Sequence, residues 1–382
     1  MMKAVLLLGS GFSSPAGYKM VPEINNEFLT NQKIRNPDNY GCDGAEFWYI
    51  GKPSPNREIY RWRVQPSLHY LFSCIDKYAS VSLFDYEWFY QYFLDNEHLE
   101  LPDDNTYQNC LTLYKLIAKE LIAERNKPCM ESHYTGFIDF CKELHQEMVD
   151  VTIATFNHDS LLESLFSKND IPYSDGFSFE GSKIFASSEY LNGKNYDKAL
   201  ENNKVREFNG QFGTDSVKVI HLHGAFDHLR LHQAVDSTNL NSFWIKKSEL
   251  PESTYYSRNL YILNLETNQF KHQPFYSSND FLVGKNIKDK NLLGDMNYQR
   301  CLELFKSSLQ AATHLLSIGF SFGDDHIVSY INEYCGKDVA ISLFGKRDMS
   351  TVLHSKFSPM LIKEHLGEID FKKVKNGILP IV

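Results

Sequence analysis

Five short apolar runs in this chain each stop at a small or polar residue, and no other feature constrains the fold as strongly. They are residues 4–8 (AVLLL, then Gly9), 151–156 (VTIATF, then Asn157, His158 and Asp159), 217–222 (VKVIHL, then His223 and Gly224), 315–318 (LLSI, then Gly319) and 340–344 (AISLF, then Gly345). Runs this short, apolar throughout and bounded by turn residues, read as strands buried on both faces. Helical patterns separate them, so the expected fold class is α/β, with a Rossmann-like, mostly parallel sheet. In an open parallel sheet the carboxyl ends of the strands line the ligand crevice, and the unusual polar residues fall at those ends.

Apolar positions three and four apart mark the helices. Residues 21–29 form a short helix, and Tyr298, Cys301, Phe305, Leu309 and Ala312 share the face of another. From about residue 60 to 148 the pattern is helical, carried by Leu68, Phe72 and Ile75, by Phe84, Trp88 and Tyr92, and by Cys110, Tyr114, Ile117 and Leu121. We therefore expect a single domain over residues 1–382, with a Rossmann-like core at about 1–30 and 150–382 and a helical insertion subdomain at about 60–148. The segments at about 170–210 and 228–290, rich in Asn, Ser, Tyr and charge, read as loops or small insertions over the crevice.

Composition excludes several classes. A net charge of −9 disfavours a surface that works by neutralising nucleic-acid phosphates. The seven cysteines are scattered and never fall as C-x-x-C, so neither a disulfide framework nor a zinc ribbon is expected. The apolar stretch before Gly9 is too short for a signal-peptide core, and no run reaches the roughly 18 apolar residues of a membrane span. The expectation is a cytoplasmic protein with no membrane partner.

Four strand-end motifs carry candidate chemistry. Gly9, Ser10, Gly11, Phe12 and Ser13 form a turn where small residues let backbone approach a pyrophosphate and amides point at the anion. The dinucleotide fingerprint G-x-G-x-x-G would place its third glycine at position 14, where Ser14 stands, so an ordinary dehydrogenase is disfavoured. The same turn is equally a tight corner. Asn157 can grip ribose hydroxyls or hold a water without adding charge, and Asp159 can accept from a ligand amide, yet Asn157, Asp159 and Ser160 can all serve as helix caps. In His221-Leu222-His223-Gly224, alternation puts both histidines on one strand face if the strand extends that far, and a histidine is the usual general base. His221 fits a satisfied core position better than His223. A metal-binding grouping with Asp227 and His228 has the wrong spacing, and no metal is expected. Finally, Gly319, Ser321 and Gly323 allow backbone and hydroxyl contacts to phosphate or ribose, with Asp324 or Asp325 capping the next helix.

Taken together and in this order, G-S-G-F-S, T-F-N-H-D, H-L-H-G and G-F-S-F-G-D-D-H-I resemble the sirtuin family, and specifically its bacterial sirtuin-like branch found in anti-phage defence proteins. F-L-V-G-K-N at residues 281–286 and D-Y-E-W-F at 85–89 agree more loosely. The resemblance implies a site for NAD+ as substrate. Gly9, Gly11, Phe12 and Ser13 fall near its phosphates and adenosine, and Gly319 and Ser321 complete the crevice. It places Asn157 and His223 at the family's catalytic positions and Asp159 where the nicotinamide amide is held. The zinc ribbon of deacetylating sirtuins is missing, and Phe156 stands where their T-Q-N-I-D has glutamine.

What the resemblance implies is an NAD+ glycohydrolase that releases nicotinamide and ADP-ribose and depletes NAD+ during infection. Unregulated hydrolysis would kill the host cell, so control by assembly follows from the activity itself. Relatives of this kind often form homo-oligomers, and some work beside a ring-forming ATPase. A module that binds NAD+ or ADP-ribose without cleaving it is the alternative, and a protein deacylase the third reading.

Overall fold

The computed structural model describes residues 2–42, 48–50, 64–96, 104–178, 185–187, 205–234, 240–249, 259–264, 269–281, 295–345, 353, 357, 359–362, 364 and 366–378. The chain separates into two compact units. One comprises Met1–Phe12, Glu131–Phe281 and Leu292–Val382, and the other includes Ser13–Met130.

The first unit is built on a seven-stranded sheet in the spatial order Met360–Ile362, Ala340–Phe344, His314–Ile318, Lys3–Leu8, Asp150–Thr155, Val217–His221, Tyr173–Ser174. Every pairing in it is parallel. This is the α/β, Rossmann-like arrangement. Lys3–Leu8 lies at its centre, with the order running toward Asp150–Thr155 on one side and His314–Ile318 on the other, so the order in which the chain adds strands reverses at this strand. Such a reversal opens a crevice at the strand ends. The central strand earns its place by composition: Leu6, Leu7 and Leu8 are fully buried. Helix Met296–Ala311 packs on Lys3–Leu8 and Asp150–Thr155, where Thr152 Oγ1 and Ser308 Oγ share a 3.0 Å hydrogen bond. Asp295 caps that helix by accepting from the Asn297 and Tyr298 amides.

The segments expected to be loops or small insertions contribute a second, antiparallel sheet of seven strands: Phe177–Ser178, Glu207–Phe208, Leu240–Lys246, Gly224–Ala234, Gln269–Phe281, Asn259–Asn264 and Phe185–Ser187, in spatial order. Its strands carry no clean apolar alternation, and ladder pairing supplies the regularity that the side chains do not advertise. Gly224–Ala234 starts directly after the parallel strand Val217–His221, so Leu222 and His223 form the turn that joins the two sheets. Gly224 makes that turn feasible, with φ of 76° in the left-handed region.

In the second unit the helices are Val21–Thr30, Gln65–Val81, Tyr86–Asn96 and Asp104–Ala123, besides shorter turns. Their shared core is aromatic. Phe28 stacks on Tyr114 at 5.1 Å between ring centroids, and Tyr90 stacks on Tyr114 at 5.3 Å. The Tyr114 hydroxyl donates to the Tyr86 carbonyl. Burial pushes the Tyr86 and Tyr114 phenols well above their ordinary values, so both stay neutral donors. Asp85 of the D-Y-E-W-F stretch caps helix Tyr86–Asn96 through the Glu87 and Trp88 amides. Residues 282–286 of F-L-V-G-K-N lie outside the described residues. Among the described residues no helix is long and apolar enough to cross a membrane.

Candidate active site

The ends of three neighbouring parallel strands meet backbone to backbone. Gly9 donates its amide to the Ile318 carbonyl and Gly11 to the Gly319 carbonyl, each at 3.1 Å, while Gly319 donates to Phe344 at 3.0 Å. A Cβ on Gly9 would sit 2.5 Å from Phe320 Cα, and one on Gly11 would sit 2.8 Å from Gly319 Cα. Gly319 itself has φ of 64°. These glycines are therefore demanded by close backbone approach between two turns more than 300 residues apart in sequence. The amides expected to face an anion are turned to other use here: those of Gly9, Gly11 and Phe12 all bond to backbone carbonyls.

Phe12 is 1 % exposed, and its ring lies edge-on to Tyr134 and Phe137, so its side chain belongs to the core. Its carbonyl accepts the Tyr134 hydroxyl at 2.7 Å. Ser13 belongs to the second unit, and its side chain is buried. Ser321 is exposed.

Asn157 follows strand Asp150–Thr155, and its side-chain amide donates to the Gly9 carbonyl at 2.9 Å, tying the second motif to the first. The chain around it is fixed by the Phe156 amide on Leu8 O and the Asn157 amide on Thr155 Oγ1. Asp159 accepts from the Leu161 amide at 3.0 Å, the capping contact that its position at the start of helix Leu161–Lys168 predicts.

The two histidines part company. The parallel strand ends at His221, so the alternation does not reach His223. His223 is buried in the turn, 5.2 Å from the Phe156 ring, which in turn stacks on Phe320 at 4.1 Å. Its Nε2 lies 3.9 Å from Asp324 Oδ1, and its ring is 6.0 Å from that of His326. Asp324 stands at the N-cap of helix Asp325–Tyr334 without making a side-chain capping bond.

His221 instead anchors a buried charge network. Its Nε2 donates to Glu163 Oε1 at 2.6 Å and its Nδ1 to the Asn157 carbonyl at 3.1 Å. A ring that donates from both nitrogens is an imidazolium. Burial alone would lower the His221 pKa, but the charge and hydrogen bond of Glu163 raise it above its ordinary value. Burial likewise would raise the Glu163 carboxyl, yet His221, through charge and hydrogen bond, and then Lys246 bring it down to about 2. Both directions describe the same ion pair. Lys246 is held by Asp175 at 3.1 Å and Asp227 at 3.8 Å. Burial first, then Lys246 and His221, push the His228 pKa well below its ordinary value, so that ring is neutral. Asp227 is spent on the Ser248 amide and hydroxyl, which separates it from any grouping with His221 and His223.

The structure thus brings Gly9, Gly11, Asn157, His223 and Gly319 to one end of the parallel sheet. It adds Glu163 and His326, and sets Asp324, expected as a helix cap, 3.9 Å from His223. Glu163 reads as an ordinary first-turn glutamate, and the D-x-H of Asp324 and His326 reads as a helix start; neither carries a mark of its long-range partner.

Residues 151–338, just under half of the chain, match the family model described as the SIR2-like domain. No curated protein sequence matches the chain. Among solved structures, a Sir2 homolog–NAD complex is 12 % identical, over 98 % of this chain and 89 % of that one, with a TM-score of 0.38. A Sir2 bound to acetylated peptide is 11 % identical, over 99 % and 94 %, with a TM-score of 0.35. Likeness at this level says nothing about substrate.

Proposed function

We propose, from the SIR2-like domain matched over residues 151–338 together with the strand-end geometry, that the chain hydrolyses NAD+ to nicotinamide and ADP-ribose. The observation that carries the reading is that Asn157 and His223, from separate strand ends, lie at the same end of the parallel sheet as the paired glycine turns.

The chemistry asks for little more. As the bond between nicotinamide nitrogen and ribose C1′ breaks, its electron pair leaves with neutral nicotinamide and positive charge spreads over the ribose ring. Water attacks C1′ from the opposite face, and its proton passes to a base and then to solvent. In this reading His223 takes the proton. Asn157, its amide aimed by the Gly9 carbonyl, presents Oδ1 to the water or a ribose hydroxyl. Asp159 holds the nicotinamide amide. The turn of Gly9, Gly11, Phe12 and Ser13 lies by the phosphates and adenosine, where it leaves room for them, and Gly319 and Ser321 complete the crevice. A positioned base typically contributes about 10²–10⁴-fold, or roughly 3–5 kcal/mol of barrier.

The finer setting belongs to the same proposal. Free hydrolysis would drain the cell's own NAD+, so we propose a cytoplasmic homo-oligomer held quiet until a partner, such as a ring-forming ATPase, releases it in anti-phage defence. The deciding experiment incubates the purified chain with NAD+, alone and with proteins encoded beside it, and follows free nicotinamide by chromatography. Release that depends on Asn157 and His223 supports the reading. Release that survives Asn157→Ala and His223→Ala contradicts it, absence of release under every condition favours a binding module, and release that requires an acyl-lysine peptide favours a deacylase.

A further inference from the structure

We infer that His223, Asp324 and His326 form a site for a divalent transition-metal ion of the zinc class, and that an ion seated there silences hydrolysis. One donor atom from each residue lies within 4.8 Å of the other two, the only such grouping among the described residues. The His223 Nε2 to Asp324 Oδ1 distance is 3.9 Å. Ligands about 2.0–2.2 Å from a tetrahedral ion stand roughly 3.4 Å apart, so closing the site takes side-chain movements on the order of 1 Å.

Donor type selects the ion. Two imidazoles and one carboxylate suit Zn2+, Co2+ or Ni2+, whereas Mg2+ and Ca2+ require an oxygen shell. The three donors are also placed for the purpose. His223 is buried in the turn between two sheets, Asp324 stands at the N-cap of the helix that faces it, and His326 lies in that helix's first turn. Three protein ligands leave one position for water, the pattern of an open site and not of a closed structural one.

The silencing half rests on the proposed function. A metal ion binds imidazole through a ring-nitrogen lone pair, and the ring is neutral when it does so. An ion on His223 would therefore occupy the group that accepts the proton from water. Nothing in the hydrolysis as written uses a metal, so occupancy subtracts activity.

The test uses the full chain, freed of metal by chelation, with Co2+ as a visible-absorption probe and Zn2+ as competitor. We expect a single Co2+ per chain with the strong absorption of a tetrahedral site, displaced by Zn2+. Binding should weaken at least about tenfold in Asp324→Asn and in His326→Gln and stay unchanged in Asp227→Asn. Melting curves of the metal-free variants show whether each is folded. Absence of a tetrahedral spectrum, or a spectrum that His326→Gln and Asp324→Asn leave intact in folded protein, overturns the site. In the release assay, saturating Zn2+ should lower the wild-type rate at least about tenfold relative to metal-free protein, and His326→Gln should relieve that inhibition relative to its own metal-free rate. Co2+ bound with the rate unchanged overturns the silencing. A chain that binds Co2+ yet never cleaves NAD+ overturns the hydrolase reading and the silencing with it, and leaves the metal site standing.

Discussion

Glu163→Gln removes one charge from the buried pair with almost no change of shape. The Glu163 side chain is 9 % exposed and that of His221 is 2 %, at 2.6 Å. Breaking a buried pair by removing one partner leaves the other charge uncompensated and costs about 3–5 kcal/mol. At roughly 2–4 °C per kcal/mol for a unit of this size, the melting temperature should fall by about 6–20 °C. The bond to the site survives the change: a neutral His221 ring keeps its Nδ1–H on the Asn157 carbonyl while Nε2 accepts from the substituted side-chain amide, so the variant removes the charge and spares the Asn157 anchor. The assay is thermal unfolding followed by circular dichroism for Glu163→Gln, His221→Leu and a Glu163→Met/His221→Leu double variant. Because replacing both partners by apolar residues removes the desolvation cost as well, the double variant should recover much of the loss. A single variant melting within about 2 °C of wild type, or a double variant whose losses simply add, would refute the charged pair.

The same pair predicts a pH window. The lowered Glu163 pKa gives stability present above the ordinary carboxylate value of about 4.3 and lost as pH falls toward about 2. The raised His221 pKa gives stability complete below the ordinary value of about 6.5 and lost as pH climbs through its folded value, so the melting difference between wild type and Glu163→Gln should peak between those values; a difference flat from acid to alkaline pH would contradict the ionised state. Gly319→Ala should destabilise by at least about 1–3 kcal/mol, because its φ is 64° and a Cβ would meet the Gly11 backbone at 2.6 Å, whereas Gly323→Ala, with Ser321 Oγ 3.4 Å away, should melt close to wild type. Tyr134→Phe should cost about 1–3 kcal/mol by leaving the buried Phe12 carbonyl without its hydroxyl donor, measured by denaturant titration.

The parallel sheet was legible because its strands are buried on both faces and therefore read as unbroken apolar runs. Four of the five expected runs match the observed strands to within one residue at either end, and the fifth, 340–344, coincides with Ala340–Phe344. Tyr173–Ser174 and Met360–Ile362 complete the sheet but are too short to show any period. The antiparallel sheet was invisible for a different reason. QFKHQPFYSSNDF, strand Gln269–Phe281, holds a proline and a polar run, and its regularity lies in ladder pairing with Asn259–Asn264 and Gly224–Ala234. At the site, residue types at strand ends could be read, but partners could not. Asn157 meets Gly9 across 148 positions, and His223 meets Asp324 across about a hundred. Two features took on a different meaning once folded: glycines read as openings for phosphate are required by turn-on-turn contact, and His221 proved to be the charged half of a pair that holds the Asn157 backbone.

The proposed hydrolysis turns on one imidazole, so the decisive measurement is the steady-state kinetics of His223→Gln with NAD+, run under whichever condition gives the wild-type chain measurable nicotinamide release. If His223 is the base, kcat should fall by about 10²–10⁴-fold with KM within a few-fold of wild type, the pattern of a group that acts in the transition state. A kcat within about threefold of wild type, or a loss confined to KM, would contradict it.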